Sequence, residues 1–162
     1  VIDIEVKEDL SISEEFVVDA SIGELEEEVV VAQVDEDLKT LIDTTLTTFG
    51  EDNIPALDSR MIDMTNSDDM KYFVGVESIE GLQSIAASEP MMTSVAFSLV
   101  TMKFDTADNA NAAIEVLNNN APTQKWVCVV PDDVKVVTAK DVYVIMLMGP
   151  NNLISEFEAI KY

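Results

Sequence analysis

Histidine is absent from this sequence of 162 residues, and glycine, proline and cysteine are scarce. Without imidazole the chain cannot build the usual catalytic triads, and it lacks the commonest transition-metal ligand. The five glycines stand far apart, which excludes a familiar glycine-rich phosphate loop. The lone Cys128 cannot close an intramolecular disulfide, and its apolar neighbours predict a small buried side chain. We therefore expect no catalytic residue, no metal ligand and no cofactor.

Basic residues are also few, with nine lysines and arginines against 32 acids and a formal net charge of −23. They are scattered singly along the chain, as Lys7, Lys39, Arg60, Lys71, Lys103, Lys125, Lys135, Lys140 and Lys161. Binding to nucleic acid or to an anionic membrane requires clustered cations, so we expect neither partner. No apolar run reaches the roughly 18 residues of a bilayer span, so direct membrane insertion of this segment is not expected.

What the chain does have is 48% hydrophobic residues, enough for the core of one domain. Acids are concentrated early, because residues 1–69 carry 21 acids and three bases. Residues 1–34 mix apolar and acidic positions and predict an acidic arm or linker with possible edge strands. Residues 35–162 are predicted to form the folded domain. The charge run is expected to serve solubility rather than to bind a partner.

Periodicity predicts an α+β fold, an antiparallel sheet with helices packed on it. A first helix is predicted from an Asp35 cap to Gly50, a short one capped at Ser67, one after Thr106, and a last one capped by Asn151 or Asn152. Strands are predicted near residues 60–64, 81–87, 94–104, 134–137 and 142–148. The last run is apolar at seven consecutive positions and predicts a central strand covered on both faces.

Carboxylates are the remaining groups that could perform catalysis. The neighbouring acids Glu77 and Glu80, or Asp132 and Asp133, could do acid–base work, but nothing distinguishes them among 32 acids. Residues 63–69 have acids at both ends but lack the glycine of a helix-loop-helix calcium site, and Val74 occupies its last ligand position. A helix cap explains these residues better.

Two apolar features of the sequence could be either core or contact surface. Met91 and Met92 follow Pro90 between two predicted strands, where they could meet a partner, but methionines more commonly fill gaps in a core. Trp126 is likewise expected to anchor the core rather than to form a ligand platform.

The second half resembles a family of bacterial surface proteins. The resemblance rests on residues 69–76, on the loop at residues 90–92, on the strand ending in Lys103-Phe104-Asp105 with the Ala/Asn-rich helix after it, and on residues 141–144. The family is domain-of-unknown-function family 4358, found largely in Gram-positive lipoproteins, and the likeness covers roughly residues 36–162. It implies export, a lipid anchor upstream of Val1 and an acidic spacer at residues 1–34, and it supplies no activity and no functional residues.

These features together predict a non-catalytic, extracytoplasmic binding or scaffolding module of a surface lipoprotein, on the outer face of the cell membrane. Its partner would be an unknown protein or small molecule. One alternative is a carboxylate-dependent hydrolase. A concave pocket with two carboxylates roughly 5 to 10 Å apart would be evidence for it. Others are an acidic salt-adapted protein and a calcium-binding structural protein.

Overall fold

The computed structural model describes residues 35–162, where five strands form an antiparallel sheet with helices on both faces. In chain order the elements are α1 (Glu36–Phe49), a 3₁₀ turn (Glu51–Asn53), β1 (Leu57–Met61), α2 (Ser67–Val74), β2 (Leu82–Pro90), β3 (Ser98–Phe104), α3 (Ala107–Asn120), β4 (Asp133–Ala139), β5 (Tyr143–Gly149) and α4 (Asn151–Glu158). The strand order is β1-β2-β3-β5-β4, and every neighbouring pair is antiparallel. This confirms the predicted α+β fold. The predicted acidic arm lies outside the described residues.

Side chains alternate along each strand and so build two separate cores. One face of the sheet packs against α2 and α3 and includes Ile85, Ala87, Val100, Met102, Val144 and Met146. The other face packs against α1 and α4 and includes Ala86, Leu99, Ile145 and Leu147. All seven residues of β5 are buried, which confirms the prediction of a strand covered on both faces. Each fully buried aliphatic side chain contributes about 1.5–3 kcal/mol to such a core.

Helix α1 begins at the predicted cap. The Asp35 carboxylate accepts hydrogen bonds from the backbone N–H groups of Asp37 (3.0 Å) and Leu38 (3.3 Å). Its second oxygen accepts a hydrogen bond from the Ser84 hydroxyl of β2 at 3.0 Å, so the cap also fastens the helix to the sheet. Gly50 ends the helix at a φ of 83°, a conformation that suits glycine.

Helix α2 begins one residue earlier than predicted. Asn66, and not Ser67, is the cap, and its side-chain oxygen accepts from the second and third residues of the helix at 3.0 and 3.2 Å. At the other end Gly75 has a φ of 86°, in the left-handed region. A Cβ atom on Gly75 would lie 1.7 Å from the carbonyl oxygen of Asn120, the last residue of α3. Glycine therefore lets the ends of α2 and α3 touch, which fixes the position of α2.

Several other boundaries differ from the predictions. Helix α4 has Pro150 at its cap position, and the predicted Asn151 or Asn152 cap is wrong. The Asn151 N–H instead donates to the Asp132 carboxylate at 3.1 Å, so a distant acid satisfies the helix end. β1 starts earlier than predicted, and β3 starts at Ser98 because the preceding residues form a loop. The last two strands pair as a hairpin, and Lys140 and Asp141 in its turn have φ values of 48° and 69°.

A hydrogen bond joins the interior strand β5 to the first turn of α1. The Tyr143 hydroxyl donates to the Asp37 carboxylate at 2.7 Å. This bond, together with burial and the negative charge of Asp37, raises the pKa of Tyr143 to about 12. An unfolded tyrosine ionises near pH 10, so the folded protein keeps a proton that the unfolded chain loses between about pH 10 and 12.

We predict that this bond contributes stability that is fully present below about pH 10 and declines as the pH rises toward 12. Tyr143→Phe should lower the free energy of unfolding by about 1–2 kcal/mol at pH 8, the range for a hydrogen bond to a partly exposed charged group. Urea denaturation at intervals from pH 8 to 11.5 measures both effects. Tyr72 and Tyr162, whose pKa values are also raised, stay in both proteins, so the variant should lose stability less steeply above pH 10. Identical slopes would contradict the assignment.

Candidate functional site

A cavity of about 370 Å³ lies beside β1 on the sheet face that carries α2 and α3. We call it the β1–α2 cavity. Its floor comes from β1 and β2, one wall from α2, and its rim from the loop that follows β2. The lining residues are Asp58, Arg60, Tyr72, Phe73, Ala87, Glu89, Pro90, Met91 and Thr93.

The strand register explains why charged side chains reach this cavity. Asp58 is the direct cross-strand partner of Glu89, and Arg60 is the partner of Ala87. Because side chains alternate along a strand, Asp58, Arg60 and the core residue Ile62 share one face of the sheet. β1 is an edge strand in the described sheet. Helix α2 reaches Arg60 through the Phe73 ring, and Asp58 and Arg60 are both exposed to solvent.

Lys125 enters the base of the site from the loop that follows α3. Its side chain is only 5% exposed and forms a salt bridge with Glu89, which is 13% exposed. The Lys125 ammonium also donates to the backbone carbonyl of Tyr72 at 3.1 Å. It lies 4.3, 4.9 and 5.0 Å from the ring centroids of Tyr72, Phe73 and Trp126. This arrangement joins α2, the end of β2 and the loop after α3 at one point.

Burial is the largest influence on the pKa of Lys125 in this cluster. The pKa of Lys125 is lowered from its ordinary value because the loss of solvation outweighs the opposing attraction and hydrogen bond of Glu89. A buried ammonium of this kind is tolerated only when its hydrogen bonds are satisfied and a counter-charge is near. Lys125 and Glu89 therefore hold the walls of the cavity in place.

Asp58 and Arg60 are the exposed charges of the cavity. Within residues 35–162 neither side chain forms a salt bridge with another side chain, although they lie on the same face two residues apart. The Arg60 guanidinium carbon lies 5.4 Å from the centroid of the Phe73 ring. The cavity thus presents one carboxylate and one guanidinium to solvent, beside an aromatic wall.

Most of the exposed large apolar side chains lie in the segments that form or adjoin the cavity. Six large apolar side chains are exposed in the part of the chain that the structure describes: Met64, Tyr72, Met91, Met92, Val127 and Val130. All except Met64 belong to α2, to the loop after β2 or to the loop that carries Lys125. These two loops are joined by a hydrogen bond from the Val127 N–H to the Thr93 carbonyl at 3.2 Å. The exposed fractions of Met91 and Met92 are 80% and 63%, so the prediction that they fill the core is wrong.

The apolar run from Trp126 to Val130 does not form a buried strand. Trp126 packs into the core beside α2 and α3, as predicted. Cys128 is exposed, so the prediction of a buried thiol is wrong. Its φ of 66° interrupts the alternation that would have buried it.

The carboxylates singled out by sequence lie outside the cavity lining and mostly contact local partners. Glu77 forms a salt bridge with Lys71 at 2.9 Å, and Glu80 is exposed. Asp132 holds the first turn of α4. The Asp133 carboxylate accepts from the neighbouring Val134 N–H at 2.7 Å.

The acidic segment before α2 also has a structural role. The Asp63 carboxylate accepts the N–H and the hydroxyl of Thr65 at 2.9 and 2.6 Å, and Asn66 caps the helix. Between residues 35 and 162 no three acidic or cysteine side chains are grouped so that they could hold a metal ion.

Comparison with protein-family models, curated proteins and solved structures gives no match to this chain. No helix within residues 35–162 is long and apolar enough to cross a bilayer. The interpretation of the cavity therefore depends on its own geometry and charges.

We predict that breaking the buried pair is costly while removing both of its charges is not. Lys125→Ala leaves the Glu89 carboxylate buried without its partner and should lower the free energy of unfolding by about 3–5 kcal/mol. Lys125→Met combined with Glu89→Met keeps the volume, removes both charges and should recover most of that loss. Urea denaturation near pH 7 measures both variants.

Lys135→Ala provides the matched control. The Lys135–Glu158 salt bridge also pairs a lysine with a glutamate, but its side chains are 41% and 48% exposed. Its loss should cost no more than about 1 kcal/mol. If Lys125→Ala lowered the free energy of unfolding by as little as Lys135→Ala, Lys125 would not hold the cavity walls together.

Proposed function

We propose that this chain is a non-catalytic, extracytoplasmic binding module of a bacterial surface lipoprotein, and that the β1–α2 cavity is its ligand site. One observation carries the proposal. The concave site is lined by the exposed apolar side chains of Tyr72 and Met91 together with a few charged groups. Ligand sites typically combine these features.

The buried Lys125 cluster supports a binding role because it fixes the site before any ligand arrives. A binding site whose walls are already in place loses less conformational entropy when it is occupied. Tyr72 and Phe73 are held by α2, and Glu89 by β2, so the lining stands mostly on regular elements and not on loops. Met91 and Thr93 supply the adaptable rim.

The surface location rests on the resemblance to domain-of-unknown-function family 4358, carried by residues 69–76, 90–92 and 141–144. An upstream lipid anchor would hold the chain at the outer face of the membrane. Residues 1–34, with eleven acids and one lysine, would then act as a spacer. Its negative charge would keep the domain away from anionic lipid head groups.

A non-catalytic role is favoured by the state of the two carboxylates in the cavity. Glu89 is bound by the Lys125 ammonium, and Asp58 is exposed to solvent. A carboxyl group that acts as a general acid usually lies in an apolar environment without a bound counter-charge. Glu89 has a counter-charge, and Asp58 lies in solvent.

Carboxylate-dependent hydrolysis is the second candidate, and the strand register favours it. Asp58 and Glu89 are cross-strand partners, so their Cβ atoms lie about 4.5–5.5 Å apart, and both line the cavity. Retaining glycosidases place two carboxyl groups about 5–5.5 Å apart, a separation that side chains at two such cross-strand positions can reach. Turnover of chromogenic glycosides or esters that disappears in Asp58→Asn would establish this function, and we expect none.

We predict that small fragments bind in the β1–α2 cavity and not elsewhere on the domain. Neutral, cationic, anionic and zwitterionic fragments with an apolar body should be titrated into the ¹⁵N-labelled full chain. The amide signals of Arg60, Tyr72, Ala87, Met91 and Thr93 should shift together in nuclear magnetic resonance spectra.

Met91→Ser should reduce these shifts, because it removes an apolar rim contact. Met64→Ser is the matched control, since Met64 is exposed but does not line the cavity, and it should change nothing. Binding confined to other surfaces, or equal effects of the two serine variants, would count against the cavity as the ligand site.

A further inference from the structure

The two exposed charged residues of the cavity have opposite signs and lie close together on one strand. Asp58 and Arg60 lie two residues apart on one face of β1, which places their Cα atoms about 6.6 Å apart along the strand. In the described part of the chain neither charge is neutralised by a salt bridge. The Arg60 guanidinium lies against the Phe73 ring, which restricts where it can point.

From this arrangement we propose that the ligand of the cavity is a short zwitterionic peptide, at its simplest a dipeptide with apolar side chains. The proposal rests on the cavity being the ligand site. The α-ammonium group would bind the Asp58 carboxylate, and the terminal carboxylate would bind the Arg60 guanidinium. The Cα atoms of Asp58 and Arg60 are about 6.6 Å apart along the strand, and two residues of extended chain span about 7 Å, so one dipeptide is long enough to contact both side chains.

The remaining lining matches the body of such a ligand. Tyr72, Pro90 and Met91 offer apolar surface for side chains, and Thr93 adds a hydroxyl at the rim. The volume of about 370 Å³ lies at the small end of the roughly 300–1,000 Å³ typical of ligand sites. A small molecule therefore fits better than a lipid chain or a folded partner.

Ligands whose charges all have the same sign fit the cavity less well. A dianion such as a phosphate ester would find one exposed guanidinium among the lining residues and would face the carboxylates of Asp58 and Glu89. A dication would find Asp58, because Glu89 is already bound by Lys125, and would face Arg60. A zwitterion satisfies both exposed charges without leaving either one opposed.

The test uses leucyl-leucine and two blocked forms, N-acetyl-leucyl-leucine without the ammonium group and leucyl-leucinamide without the carboxylate. Each is titrated into the full chain, and the shifts of the cavity amides give the dissociation constants. Blocking either terminus should weaken binding about fivefold or more, as expected for loss of a charge-assisted hydrogen bond. The free dipeptide should bind tightest.

Two variants assign each terminus to a residue. Asp58→Asn should abolish the preference for the free amino terminus and leave the preference for the free carboxylate, whereas Arg60→Gln should do the reverse. Asp52→Asn is the charge-matched control, because Asp52 is exposed and does not line the cavity, and it should preserve both preferences. Unchanged spectra away from the substitution show that each variant is folded.

Equal binding of the free and blocked dipeptides would overturn the zwitterion proposal, while fragments bound in the cavity would still support a ligand site there. Preferences that survive in Asp58→Asn and Arg60→Gln would also overturn it. If neither the dipeptides nor the fragments shifted the cavity amides, the proposed ligand site and its ligand class would fail together.

Discussion

The Lys125 ammonium is buried beneath the cavity, at a point where three segments of the chain meet. The local structure depends on the hydrogen bonds and the counter-charge that this cation requires. Removing an ammonium from water costs several kcal/mol unless other groups replace its solvation. Glu89 supplies the counter-charge, the Tyr72 carbonyl accepts a hydrogen bond, and three aromatic rings surround the cation. These groups lie on β2, on α2 and in the loop that follows α3. Moving one of the three segments away would leave the buried ammonium without part of the interactions that replace its solvation. The walls of the cavity are thereby fixed.

The sheet makes such a site possible because most of its two cores come from strands other than the edge strand β1. β3 and β5 are buried almost throughout, and helices cover both of their faces. β1 contributes Leu57 and Met61 to the core beside α1, so its opposite face can carry polar residues. Helix α2 ends where Gly75 contacts Asn120, and its Phe73 ring lies beside Arg60. The proposed ligand site therefore lies at the edge of the sheet, next to the core that α2 covers.

The sequence predicted the parts of this structure that local periodicity controls. The stripe of α1 and the apolar run of β5 each bury a face that can be read from neighbouring residues. The exposed Cys128 was missed because a short apolar run predicts burial, and only a positive φ reveals otherwise. The contacts of Asp58 and Lys125 with Glu89 span 31 and 36 residues. Such pairs are created by strand register and loop packing, which no local pattern encodes.

The acidity of the whole chain and the balanced charges of the cavity act over different distances. The net charge of −23 creates a field that repels anions approaching from solution, although salt limits its reach to about 8 Å at physiological ionic strength. Asp58, Glu89 and Arg60 line the cavity, and Lys125 forms a salt bridge with Glu89, so the formal charges of these four residues cancel. A zwitterion carries no net charge and is neither attracted nor repelled strongly at long range. Selection of the proposed ligand would then depend on contact with Asp58 and Arg60, where the orientation of the two charges would decide whether it binds.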